Sequence, residues 1–216
     1  MARMTLHWQA APAGMADLLR TLSSTLATTD FYLAGGTALA LLEGHRISVD
    51  LDFFSPSFDR PDNVLAILER EHPTARTTLV APRTLYLEIG GIVVSFFGYG
   101  YPIVAAHLEP DPELLAFASR EDIAAMKLAA IASRGSRKDF VDLWWLLKRY
   151  WPLAEGLEFF QAKFATRDIG HVVRSLVYFD DADSEPPLRL LADIDWKTVK
   201  RDLRTWVAPL VDTAAS

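Results

Sequence analysis

The stretch from Phe31 to Ser55, FYLAGGTALALLEGHRISVDLDFFS, decides how the chain is read. A short apolar run, Phe31–Ala34, ends at Gly35-Gly36, and Thr37–Leu42 has the Ala/Leu content of a buried helix. Gly44 stops that helix. Val49–Phe54 then alternates with the period of a strand, with Val49, Leu51 and Phe53 on one face and Asp50, Asp52 and Phe54 on the other. Both acids therefore point the same way. Two carboxylates inside an otherwise buried-looking strand are costly unless a cation meets them. A divalent cation with oxygen ligands is one answer, since Mg²⁺ takes one or two carboxylates and completes its shell with water and phosphate oxygens. The plainer alternative is an edge strand whose solvent face carries two acids.

Gly35-Gly36-Thr37 lies between a strand and a helix. Glycines let the backbone approach a ligand closely, and the helix N-terminus that follows favours phosphate. Such turns also occur for steric reasons alone. Here the returning acidic strand brings a phosphate-binding turn beside a carboxylate pair, so one site accounts for both features. His45, Arg46 and Ser48 occupy the connection between them. Arg46 suits phosphate or a carboxylate, the alternative being an exposed loop. A second D-x-D, Asp193-Ile194-Asp195, is explained more simply, because Asp195 immediately precedes a predicted helix and reads as its N-cap.

Around this stretch the pattern is mixed. Residues 15–28 carry Leu18, Leu19, Leu22 and Leu26 near helical spacing, and Asp62–Glu71 reads as a helix behind Pro61. Thr77–Val80, Leu85–Ile89 and Ile92–Phe97 are strand-like, with Gly90-Gly91 as a hairpin signal. Interleaved strands and helices indicate a mixed α/β sheet. From Ser119 the chain turns helical. SRED and SRKD both resemble capping boxes with Asp for the usual Glu, starting helices at Arg120 and Arg137. Further helices are expected over Leu157–Phe164, Asp168–Tyr178 and Trp196–Val207, and the acidic, Pro-rich FDDADSEPP reads as an exposed loop. The expected organisation is an α/β core over residues 1–110 and a helical region over 111–216.

In the helical half, Lys127 sits among Ala, Met, Leu and Ile and shares a helix face with Arg134. It either snorkels to a boundary or meets an anion such as a triphosphate. Asp139 reads as a capping-box acid. Asp142, flanked by Val141, Leu143, Trp144 and Trp145, calls for a cationic partner, with Lys127 and Arg134 the natural ones. The basic cluster Arg134–Lys138 and the face formed by Lys197, Arg201 and Arg204 read as solvated, or as contacts to an RNA or protein substrate.

Composition narrows the classes. The chain of 216 residues is 50% hydrophobic and 23% charged, with a net charge of −6, which argues against broad, charge-driven nucleic-acid binding. The absence of cysteine excludes disulfides and thiolate metal sites. No apolar run approaches a membrane span, and the N-terminus MARMTLHWQAAPAG has no signal-peptide core. A cytoplasmic protein with no membrane partner is expected.

GGTALALLEGHRISVDLDFF together with DIAAMKLAAIASRGSRKDFVDLWWLL resembles the AbiEii/AbiGii-type nucleotidyltransferases, toxin components of bacterial toxin–antitoxin and phage-defence systems. The resemblance implies an α+β (mixed α/β) fold: a polymerase-β-like nucleotidyltransferase core with a mixed sheet, followed by a helical C-terminal half. It implies that Gly35, Gly36 and Thr37 cradle an NTP triphosphate, with Arg46 and Ser48 beside them, and that Asp50 and Asp52 hold Mg²⁺ or Mn²⁺. Lys127 would contact the phosphates, and Asp139 or Asp142 would position Lys127, the nucleotide or the acceptor. The acceptor would be a tRNA end, a protein side chain or a small molecule, and a cognate antitoxin the partner. Two departures stand out. Where the superfamily often carries a third acid, the strand IVVSFF offers Ser95, with Glu88 the nearest acid on the preceding strand. Thr37 also stands where Gly-Ser is usual. Two other readings compete. A glycosyltransferase also uses D-x-D, but usually after a longer α/β domain. A catalytically weak nucleotide- or partner-binding module would explain the missing third acid.

Overall fold

The computed structural model describes residues 4–214. A 3₁₀ turn at Trp8–Ala10 leads to helix α1 (Met15–Thr25), whose Met15, Leu19 and Leu22 recur at helical spacing and are buried. Strand β1 (Tyr32–Ala34), helix α2 (Gly35–Glu43) and strand β2 (Asp50–Ser55) follow. The glycine pair forms the first turn of α2 rather than preceding it, with Gly35 at φ +68°. That is a left-handed conformation which side chains disfavour. Helix α3 (Pro61–Glu71) starts on its proline. Strands β3 (Arg76–Ala81), β4 (Thr84–Ile89) and β5 (Ile92–Gly98) complete the sheet.

The strand order is β1-β2-β5-β4-β3. β2 and β5 run parallel and the other neighbours antiparallel, so the sheet is mixed as expected. One face buries Leu51, Phe53, Leu85, Leu87, Val94 and Phe96. Asp50, Asp52 and Phe54 alternate onto the other face and are only half-buried. The strand is thus buried on one side, not two. Val49, expected beside Leu51 and Phe53, lies outside β2 and is 52% exposed.

The chain forms two compact units. Residues up to Tyr101, together with Ala106–Ala118, make the first; Pro102–Ala105 join the chain from Ser119 onward in the second. In the first unit the returning segment covers β1: the Leu33 N–H donates to the Ala116 carbonyl at 2.9 Å, and the Ala118 N–H to the Leu33 carbonyl at 2.8 Å. That pairing protects what would otherwise be an open edge.

The second unit comprises α4 (Arg120–Ser133), α5 (Arg137–Arg149), α6 (Leu153–Phe164), α7 (Gly170–Ser175), α8 (Asp180–Ser184) and α9 (Trp196–Ala214). Ser119 caps α4, its Oγ accepting the Asp122 N–H at 3.0 Å. Ser136 makes no such bond at α5; its hydroxyl goes to Glu185 at 3.0 Å. The second capping box is therefore absent. The helix expected over Asp168–Tyr178 shortens to α7, and α9 continues through Pro209. The FDDADSEPP segment is mostly exposed, as expected, but contains α8 rather than loop alone. Asp183 accepts from Trp196 Nε1 at 2.6 Å and Lys200 Nζ at 2.8 Å, and Arg137 Nε donates to the Ala182 carbonyl at 2.9 Å. No helix among the described residues is long and apolar enough to cross a membrane.

Candidate active site

Within the first unit, the start of α2 is fastened to the start of β2. The Thr37 hydroxyl donates to the Asp50 carbonyl and shares a hydrogen bond with the Ser48 hydroxyl at 2.9 Å. Arg46 is buried, contrary to an exposed loop, and its Nη1 donates to the Ile47 carbonyl at 3.1 Å. The glycines make this closeness possible. A Cβ on Gly36 would stand 2.6 Å from Arg46 Nη2 and 3.2 Å from Ser48 Oγ; one on Gly35 would stand 2.9 Å from Asp52 Oδ2. Gly35, Gly36, Thr37, Arg46, Ser48, Asp50 and Asp52 therefore converge. A helix N-terminus, a buried guanidinium and the Asp52 carboxylate meet in one small region, and Asp50 lies two residues away on the same face of β2.

Asp50 and Asp52 would offer a cation two hard oxygen ligands from one face of β2. Among the described residues no cluster of three or more His, Cys, Asp or Glu exists that would hold a metal alone. Ser95 lies in register with Asp52 and is 2% exposed. Glu88 is in register with Val93, which in turn pairs with Asp50, and it is drawn to Arg76 at 3.7 Å. Two strand spacings separate Glu88 from Asp50, roughly 10 Å of backbone. The pair fits Mg²⁺ or Mn²⁺, which accept two carboxylates and fill the remaining positions with water and phosphate oxygens.

A second polar centre lies within the helical unit. Lys127, only 4% exposed, places Nζ 2.8 Å from Asp139 Oδ1 and 2.6 Å from Asp142 Oδ2. Arg134 adds Nε to Asp139 Oδ2 at 2.8 Å and Nη2 to Oδ1 at 3.2 Å. Lys127 does not snorkel, and Asp139 is not a capping acid: its carboxylate serves two cations. Asp142 has the partner its apolar neighbours demanded. Burial alone would raise the Asp139 carboxyl's pKa, but the Lys127 and Arg134 charges outweigh it and hold the group below its ordinary value.

A further buried ion pair is not announced by the local sequence pattern. Asp122 meets Lys163 at 2.5 Å with both side chains buried, and also accepts from Ser119 Oγ at 2.7 Å and the Val104 N–H at 3.1 Å. Lys163 donates further to the Pro102 carbonyl at 3.0 Å. Burial pushes the Asp122 carboxyl up, yet Lys163 and Ser119 more than compensate and leave it lowered. The capping role of Asp122 hid this network. The available sign was Lys163 between Phe160 and Phe164, on the apolar side of its helix.

The family model of the nucleotidyl transferase AbiEii toxins, Type IV TA system, matches residues 17–214. The chain belongs to the AbiEii family. This AbiEii protein is 40% identical over 159 residues to the uncharacterized protein aq_aa25 of Aquifex aeolicus (strain VF5), covering 72% of this chain and 77% of that one. Solved structures share its fold, among them a mycobacterial toxin and an H. pylori protein. The nucleotidyltransferase toxin MenT4 of Mycobacterium tuberculosis superposes with a TM-score of 0.57 at 17% identity, covering 95% of this chain and 85% of that one. An H. pylori protein provisionally assigned as a nucleotidyltransferase gives 0.55 at 20% identity, covering 92% and 93%. The AbiEii protein is accordingly a nucleotidyltransferase with a polymerase-β-like core.

Proposed function

We propose that this AbiEii enzyme transfers a nucleoside monophosphate from an NTP to an acceptor hydroxyl, using Mg²⁺ or Mn²⁺ held by Asp50 and Asp52. We propose further that it is the toxin-like member of a cytoplasmic toxin–antitoxin pair. The observation that carries the chemical reading is the approach of Asp52 Oδ2 to the side-chain-free edge of Gly35. It sets a carboxylate pair against a helix N-terminus suited to phosphate.

In the reaction, the acceptor oxygen attacks the α-phosphorus. The bond from that phosphorus to the bridging oxygen of the β-phosphate breaks, pyrophosphate leaves, and the hydroxyl proton passes to water. The bound metal would supply charge neutralisation at the phosphates. The protein's share is placement. Gly35 and Gly36 let Asp52 and Arg46 close on the first helical turn, and Thr37 and Ser48 hold that turn against β2. Arg46 offers a fixed cation beside it. Within the helical unit, Asp139 and Asp142 hold the Lys127 ammonium. The acceptor is a tRNA end, a protein side chain or a small molecule.

The test is to incubate the protein with each of four labelled NTPs, Mg²⁺ and total tRNA, beside Asp52→Ala. Label transferred by the wild type and lost in the variant is the expected result; equal transfer by both overturns the assignment of Asp50 and Asp52. One observation favours a second reading, a catalytically weak nucleotide- or partner-binding module: Ser95 stands where a third carboxylate would help activate the acceptor. NTP binding without transfer to any acceptor would support it.

A further inference from the structure

The two edges of the sheet differ. At one, β1 is closed off by the returning segment, which bonds to both the N–H and the carbonyl of Leu33. At the other, β3 ends the strand order, and among the described residues no segment pairs with its outer side. Arg76, Thr77, Thr78, Leu79 and Val80 are all exposed, Leu79 at 46% and Val80 at 43%. Val80 is in register with the fully buried Leu85, and Leu79 with Tyr86 on the opposite face. Each face of the sheet therefore ends at β3 in an uncovered apolar side chain. An edge strand also presents a row of unpaired backbone N–H and C=O groups, which natural sheets guard with short strands, charges, proline or bulges. β3 has one such device, a register shift between Thr77 and Leu79. Pairing with β4 is regular again over 79–81, and no charged residue or proline interrupts 77–81.

The charges at its ends indicate what the edge accepts. Arg76 and Arg83 bracket the uncharged stretch on a chain whose net charge is −6. Arg76 is exposed, and its 3.7 Å approach to Glu88 in open solvent offsets little of its charge. Arg83, at φ +57°, is held at the β3–β4 turn: its Nη2 donates to the Pro56 carbonyl at 3.2 Å, and its own carbonyl accepts the Gly98 N–H at 2.8 Å. Its cation thus has a fixed place beside the end of the strand. A second copy of β3 is a poor match. Aligned antiparallel over the whole strand, Arg76 of each chain would lie diagonal to Arg83 of the other, and like charges would meet at both ends. A strand with carboxylates at its ends turns the same two arginines into attractions.

We propose that the outer edge of β3 docks, by strand addition, an extended segment of a partner polypeptide that is apolar in its middle and acidic at its ends. Backbone hydrogen bonds supply the affinity, Leu79 and Val80 receive side chains on the two faces, and Arg76 and Arg83 select the ends. The probe is a short acetylated peptide of Thr and Val with paired glutamates at each end, titrated against the full chain. Amide hydrogen exchange reads the outcome, and residues 76–81 should become protected. The same peptide N-methylated at alternate residues cannot donate to the edge and should leave them unprotected. A lysine-ended peptide should bind more weakly. Arg76→Glu, at an exposed position, should weaken the glutamate-ended peptide about 5-fold and reverse that preference. No protection of β3 at about 1 mM peptide, equal protection by the N-methylated form, or indifference to the charge of the peptide ends would overturn the proposal. Protection that grows with protein concentration alone would overturn it too, because a second copy would then be the occupant. Neither nucleotide nor metal enters the titration, so its outcome is separate from that of the Asp52→Ala test.

Discussion

Asp52 Oδ2 lies 2.9 Å from the position that a Gly35 Cβ would occupy, so carboxylate and helix meet across a space that only glycine leaves open. Gly35→Ala should therefore do two kinds of harm. The φ of +68° adds strain of about 1–2 kcal/mol, and the new methyl displaces the carboxylate. Gly90→Ala is the control, since it carries the same sign of φ with nothing within 4 Å. Both variants should melt lower in calorimetry, but only Gly35→Ala should lose NTP affinity. Equal loss in the two would remove the glycine from the nucleotide site.

Ser95→Asp places a third carboxylate beside Asp52. In chelator the like charges should lower the melting temperature by about 2–4 °C, the equivalent of about 1 kcal/mol for a chain of this size. Added Mn²⁺ should then raise it more than in the wild type. A variant whose metal response matches the wild type would show that Ser95 does not face the metal position.

Lys127 is the counter-ion for two fully buried acids, so Lys127→Ala leaves uncompensated charge in the interior. A loss of about 3–5 kcal/mol is expected in urea unfolding. Adding Asp142→Asn to that variant should recover part of it. Recovery would establish that charge, not packing, was the main loss.

Acid should weaken the fold through Asp139 and Asp122. Both carboxyls titrate below their ordinary value in the folded protein, while in the unfolded chain they return to about 3.9. The native state then binds fewer protons across that interval, so stability rises with pH there. Their contribution is complete above the unfolded value and disappears as pH falls through the folded ones. Urea midpoints should drop below about pH 4, and Asp139→Asn should flatten that acid limb.

The period of two in Val49–Phe54 made the acid-bearing face legible, and the two glycine pairs marked the helix start and the hairpin. Asp195 capped its helix as read, its Oδ2 accepting the Thr198 N–H at 2.9 Å. Identical local patterns failed where distant partners decided. Ser119 and Ser136 both open a Ser-x-x-Asp, yet only the first is a cap. Glu185 claims the Ser136 hydroxyl, and Lys127 and Arg134 claim Asp139. The acidic segment around Asp183 likewise took its conformation from Lys200 and Trp196, which periodicity does not connect to it. The separation of Glu88 from Asp50 required the strand order, because nothing in the spacing says that β5 lies between them.

The anchoring of Pro102–Ala105 by Asp122 and Lys163 bears on how such a chain can be recombined. These residues belong to the second unit while the chain on either side belongs to the first, so the backbone changes unit at Tyr101/Pro102, Ala105/Ala106 and Ala118/Ser119. A chimera spliced at Ala118 alone would inherit a 102–105 segment from one parent and its carboxylate and ammonium from the other. Grafting a helical half from a relative thus means transplanting two pieces of chain, one of them only four residues long.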